Sequence, residues 1–130
     1  MTLHITALYA AVLALLMIAL STWVTLLRAK LQISILHGDS MALAERIRMH
    51  GNFIENVPMA LIIMGLAETG GAPTTWVNAV GIMLVVGRLL HPLGMQHDKA
   101  ATFTRIAGGL LTTLAVLTGV YLILSSALGS

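Results

Sequence analysis

Cysteine is absent from the 130 residues, and charged side chains make up only 9% of them. Without a thiol the chain has no disulfide framework, no thiolate metal site and no cysteine nucleophile. The scarcity of charge excludes more. A soluble domain carries about 25% charged residues, whereas here 58% of the residues are hydrophobic and the mean hydropathy is +0.93. That leaves too little polar surface to clothe a water-soluble globule of this length, so the solvent is lipid. Basic stripes with interleaved aromatics are also missing. Seven Lys and Arg against five Asp and Glu give a net charge of only +2, and aromatics are 5% of the chain, which excludes a nucleic-acid binder. Phosphate-loop and dinucleotide fingerprints are absent, which argues against nucleotides.

What the chain does have is apolar length. A membrane-crossing helix needs about 20 apolar residues, and the sequence predicts four spans at roughly 3–28, 42–68, 75–96 and 102–128. The expected fold is all-α, an integral membrane four-helix bundle in one domain over 1–130. The first run has no basic n-region and no small-residue cleavage site, so it reads as a retained span rather than a signal peptide. The second span is apolar only in its later half. Charge placement predicts the topology. Arg28, Lys30, Arg46 and Arg48 surround the first connection, and Arg88, Lys99 and Arg105 surround the third. All seven cations therefore fall on one side, which the positive-inside rule assigns to the cytoplasm, with both termini outside. Short loops point to a bacterial inner membrane.

Charge inside a span is costly and normally faces a bundle interior or a wet cavity. At 100° per residue, Arg48, Asn52 and Glu55 share one helix face, with Glu45 and Asn56 at its margins, ahead of Pro58. The bland reading is a set of intrahelical and interhelical ion pairs that hold the bundle together. The sharper one is a binding cavity. The third span repeats the pattern in GRLLHPLGMQHD, where Arg88, His91 and Met95 share a face. His97 and Asp98 read as solvated loop residues, as do His37 and Asp39. No histidine pair has the spacing of a metal-binding helix motif, so no metal is expected. An Arg fork binds a carboxylate, Glu holds an ammonium and Asn pairs with a peptide bond. That inventory suits a small zwitterionic peptide.

At RIRMHGNFIENVPMALIIMGLAE, and again at GRLLHPLGM, the chain resembles the MAPEG family, membrane-associated proteins in eicosanoid and glutathione metabolism. The resemblance covers nearly the whole chain and implies a homotrimer with sites between subunits. It implies that Arg48, Asn52 and Glu55 contact glutathione, that Arg88 and His91 lie near its backbone, and that Arg28 reaches in from a neighbouring subunit. Arg105, at the start of the fourth helix, would stabilise the glutathione thiolate. The function implied is a glutathione-dependent transferase or peroxidase acting on lipophilic electrophiles, with glutathione as co-substrate. Two departures are visible: Asn56 and Met95 stand where members often carry tyrosine. They favour a second reading, a membrane protein of the same fold without catalysis. Small-residue packing at Ala115-x-x-x-Gly119 is expected to support association. A small multidrug exporter ranks last, because residues 3–27 hold no Asp or Glu.

Overall fold

Each apolar run becomes a helix that stops where the sequence supplies a cap. A computed structural model describes residues 2–129 as α1 (His4–Leu31), α2 (Met41–Thr69), α3 (Thr74–Leu93) and α4 (Phe103–Leu128). Two boundaries differ from the expected spans. α1 continues past residue 28 until Gln32 turns left-handed (φ 56°) and its amide, with that of Ile33, donates to the Arg28 carbonyl. α3 ends at Leu93 rather than near 96, because Pro92 and Gly94 close its last turn. Ser40 Oγ opens α2 by accepting from the Leu43 amide at 3.2 Å. Gly71, at φ 85°, reverses the chain after α2 in a conformation that glycine alone adopts cheaply. Thr102 Oγ1 accepts from the Arg105 amide and donates to the Gly94 carbonyl at 2.8 Å, so one hydroxyl ends α3 and begins α4.

α1, α3 and α4 are long and apolar enough to cross a membrane. α2 has 29 residues, ample for a crossing, but its first half is polar. The helices run alternately up and down. Among the described residues α1 and α4 do not touch, while α2 and α3 each contact all the others. Leu13 of α1, Phe53, Val57 and Met64 of α2, and Val77, Val80 and Leu84 of α3 fill the core, closed by Ala115 of α4. Outward faces are bare hydrocarbon: Leu8 is 71% exposed and Leu15 69%. Such faces are stable in lipid, where helices satisfy their own backbone.

α3 and α4 pack most closely, along a glycine seam. A Cβ on Gly108 would lie 2.6 Å from the His91 amide nitrogen and 2.7 Å from the Gly87 carbonyl oxygen. The small residues Ala115 and Gly119 do not form an outer face for association, as expected from their spacing. Both are buried, and a Cβ on Gly119 would meet Ile63 of α2 at 2.6 Å. Their smallness is used inside the chain, to bring α4 against α2.

The end of the bundle away from the cations is tied by polar contacts. Both carboxylate oxygens of Glu68, in the last turn of α2, accept the amides of Ile5 and Thr6 at 2.8 Å each. Those amides belong to the first turn of α1 and have no partner within their own helix. Glu68 thus caps a neighbouring helix, and its negative charge suits that helix's positive end. Ser126 Oγ donates to the Gly70 carbonyl, and Tyr9 Oη to Asn78 Oδ1. Glu68→Ala is expected to destabilise the protein by about 1–3 kcal/mol. Thermal unfolding in detergent measures the loss, and faster amide exchange at Ile5 and Thr6 locates it.

Candidate ligand cleft

The polar half of α2 meets the α3–α4 connection near its start but does not close against it further along. Between them lies a cleft of about 420 Å³. Arg48 and Asn52 form its α2 wall, the connection around Met95 and His97 faces them, and Arg105 reaches in from the first turn of α4. Residues predicted from two separate parts of the sequence, the Arg48–Asn52 face and Arg105, therefore share one space. Asn52 also joins the cleft to another predicted residue, because its Oδ1 accepts from Arg88 Nη1 at 2.8 Å. Arg88 is 3% exposed, its Nε is buried without a partner, and it has no ion pair among the described residues. A buried guanidinium balanced only by an amide is an incomplete arrangement. Placed behind a cleft that already holds two arginines, it adds to the attraction for an anion. His91 is buried one turn further on, where α3 meets Gly108, so it stands behind the cleft rather than in its wall.

The remaining predicted residues lie elsewhere. Glu55 accepts from Arg48 Nη1 at 3.1 Å, with both side chains more than half exposed. This pair joins two turns of α2 and ties no helix to another. It is an intrahelical pair of the kind the bland reading allowed. Asn56 turns back to donate to the Asn52 carbonyl. Arg28 is not brought to the cleft. Its Nη1 donates to the Leu36 carbonyl at 2.7 Å and stabilises the chain leaving α1. Arg46 also faces away, with its guanidinium 4.3 Å from the Trp23 ring centroid and one nitrogen donating to the Trp23 carbonyl.

Arg105 is held in place by the turn that starts α4. Its amide is capped by Thr102, and its Nη1 donates to the Ala100 carbonyl at 3.0 Å. One guanidinium nitrogen thus anchors the side chain within the wall of the cleft. A fixed cation beside an accessible space can lower the pKa of a thiol placed there and raise its thiolate fraction.

The family model for MAPEG matches residues 6–125. The chain belongs to the MAPEG family. The inner membrane protein YecN of Escherichia coli K12 is 39% identical over 93 residues, 72% of this chain and 71% of YecN. The same protein from Escherichia coli O6:H1 gives the same values. With three apolar helices of spanning length, this MAPEG chain is a membrane protein.

Two residues of the MAPEG cleft have a larger part than their sequence context suggested. His97 is exposed in the connection, as expected, but it is also bonded to α2. Its backbone amide and its Nδ1 both lie against Glu45 Oε1, at 2.7 and 2.6 Å. Fifty-two positions separate the partners, so no local motif signals the pair. Glu45 stood at the margin of the polar face of α2, and that was the only sign of it. Met95, 8% exposed, lines the cleft as an apolar surface.

Proposed function

We propose that this protein is a membrane-embedded, glutathione-dependent transferase or peroxidase that acts on lipophilic electrophiles. The observation that carries the reading is the meeting of Arg48, Asn52 and Arg105 in one cleft, with the buried Arg88 behind Asn52. Glutathione offers two carboxylates, one ammonium, two peptide bonds and a thiol. In this reading the guanidinium of Arg48 takes a carboxylate, Asn52 takes a peptide group, and Glu55 is available to the ammonium. The buried Arg88 guanidinium, with His91 one turn beyond it, biases the back of the site toward an anion. Arg105 holds the thiolate. The electrophile enters from the bilayer, between helices whose outer faces are apolar.

The cations define the cytoplasmic end, with both termini on the other side of a bacterial inner membrane. A homotrimer is part of the same reading. Glu55 lies 13 residues from Glu68 along α2, about 20 Å at 1.5 Å per residue, which is well within a hydrocarbon layer of about 30 Å. An ion pair more than half exposed at that depth calls for protein to cover it. Arg28 could serve a neighbouring subunit's site after releasing the Leu36 carbonyl.

Glutathione titration with thermal unfolding as the readout tests this function. A ligand that binds only the folded protein raises its stability, by about 2.7 kcal/mol at a hundredfold excess over Kd. A melting temperature that does not move at millimolar glutathione refutes the reading. That result would favour a MAPEG protein without catalysis, for which Met95 and Asn56 in place of tyrosines are the specific support.

A further inference from the structure

The pair Glu45–His97 is built like a proton-transfer dyad. Glu45 Oε1 receives both the backbone amide and ring Nδ1 of His97, so the carboxylate fixes the imidazole's position and calls for the proton on Nδ1. In a neutral ring that leaves the lone pair on Nε2. Among the described residues Nε2 has no protein partner, and His97 lines the same cleft as Arg48, Asn52 and Arg105. A carboxylate behind a histidine stabilises the imidazolium that forms when the ring accepts a proton, as in serine hydrolase triads. The other charged groups around the cleft are Arg48 on α2, Asp98 and neighbouring Lys99 in the connection, and Arg105 on α4. The guanidinia have no lone pair with which to accept a proton, whereas a neutral imidazole has one.

Resting on the glutathione reading above, we propose that His97, oriented by Glu45, is the base that takes the proton of the bound thiol. The S–H proton passes to Nε2, giving an imidazolium against Glu45 and a thiolate beside Arg105. The sulfur lone pair then attacks an electron-poor carbon and forms a C–S bond. The displaced electron pair leaves with the leaving group or, on a conjugated acceptor, becomes a carbanion that takes the proton back from His97. On a conjugated acceptor the proton therefore stays within the cleft throughout, whereas after displacement the His97 imidazolium gives its proton to water as the leaving anion departs.

The alternative role for this pair is a latch that holds the α3–α4 connection against α2. His97→Asn separates the two, because the asparagine Nδ2–H can keep the bond to Glu45 while the base at Nε2 is lost. The test uses the full-length protein in detergent and glutathione as the probe. Glutathione binding is followed by thermal unfolding, thiolate by its ultraviolet absorbance, and proton release in weak buffer. The wild type is expected to form thiolate at neutral pH without releasing a proton to solvent. The Asn variant is expected to melt normally and bind glutathione, but to form thiolate only at higher pH and with proton release. Its conjugation rate at neutral pH falls about 10²-fold. A Glu45→Gln variant, which keeps an acceptor but loses the charge, gives a smaller loss in the same direction. A variant with unchanged thiolate and proton release makes the pair a latch and overturns the proposal. Glutathione that fails to shift the wild-type melting temperature defeats the functional reading itself, a separate result read before any substitution is made.

Discussion

Arg105→Ala is expected to lower glutathione conjugation by about 10²–10³-fold, while helix content and assembly remain those of the wild type. The argument starts from what the side chain touches. Among the described residues the Arg105 side chain makes one exposed hydrogen bond, to the Ala100 carbonyl, so its removal leaves no buried group without a partner. The α4 cap is unaffected, because it runs through the Arg105 backbone amide and Thr102. What disappears is the fixed positive charge in the cleft wall nearest the start of α4. A free thiol has a pKa of about 8.5, so at neutral pH little thiolate forms unless a neighbouring cation favours it. Losing one preorganised electrostatic contact to a reacting anion costs about 2.7–4 kcal/mol of transition-state stabilisation. Turnover with glutathione and a lipophilic electrophile in detergent measures the loss. A variant that turns over at the wild-type rate removes Arg105 from the mechanism.

Gly108→Ala is expected to destabilise the protein by about 3 kcal/mol, the upper end of the range for overpacked sites. The added methyl would meet backbone at 2.6 Å from the His91 nitrogen and at 2.7 Å from the Gly87 oxygen. Backbone atoms inside two packed helices cannot swing aside as a flexible side chain can, so α3 and α4 must separate. Gly109→Ala, one residue away, is the matched control. A Cβ there meets nothing within 4 Å, and replacing a helical glycine removes an entropic penalty of about 0.5–1 kcal/mol. Opposite changes in melting temperature from adjacent glycines would establish the seam. Equal changes would show that α3 and α4 are not held this closely. Because His91 and Arg88 lie on the same stretch of α3, the Gly108 variant also disturbs the back of the cleft.

The four helices were legible because lipid sets a simple requirement, a long apolar run, and the chain meets it openly in α1, α3 and α4. α2 was legible for the opposite reason. Arg48, Asn52 and Glu55 recur at helical spacing where apolar residues were expected, and a polar face needs something to face. The sequence could not indicate how that face divides. Arg48 bonds to Glu55 along the helix, Asn52 turns inward to Arg88, and Glu45 turns toward the connection. Those choices depend on the register between helices, which side-chain packing decides and periodicity does not report. Gly119 illustrates the same limit. Its spacing from Ala115 marked a close-packing face correctly, but whether the neighbour was another copy or α2 depended on the position of Ile63. His97 is an exposed connection residue, as expected, but its bond to Glu45 was not legible because that partner lies 52 residues away.

The glycine seam also bears on how such a chain can change over generations. An enlarged residue in a core is often tolerated once its neighbour has become smaller. At Gly87 and Gly108 that route is closed, since each already faces the other and neither has a side chain to lose. Drift along this contact therefore runs in one direction, and any step off glycine must wait for the two helices to move apart. The lipid-facing side of α1 has no such history to respect: Leu8 and Leu15 can exchange with other apolar residues in any order. The two halves of this small bundle are thus free to diverge at very different speeds.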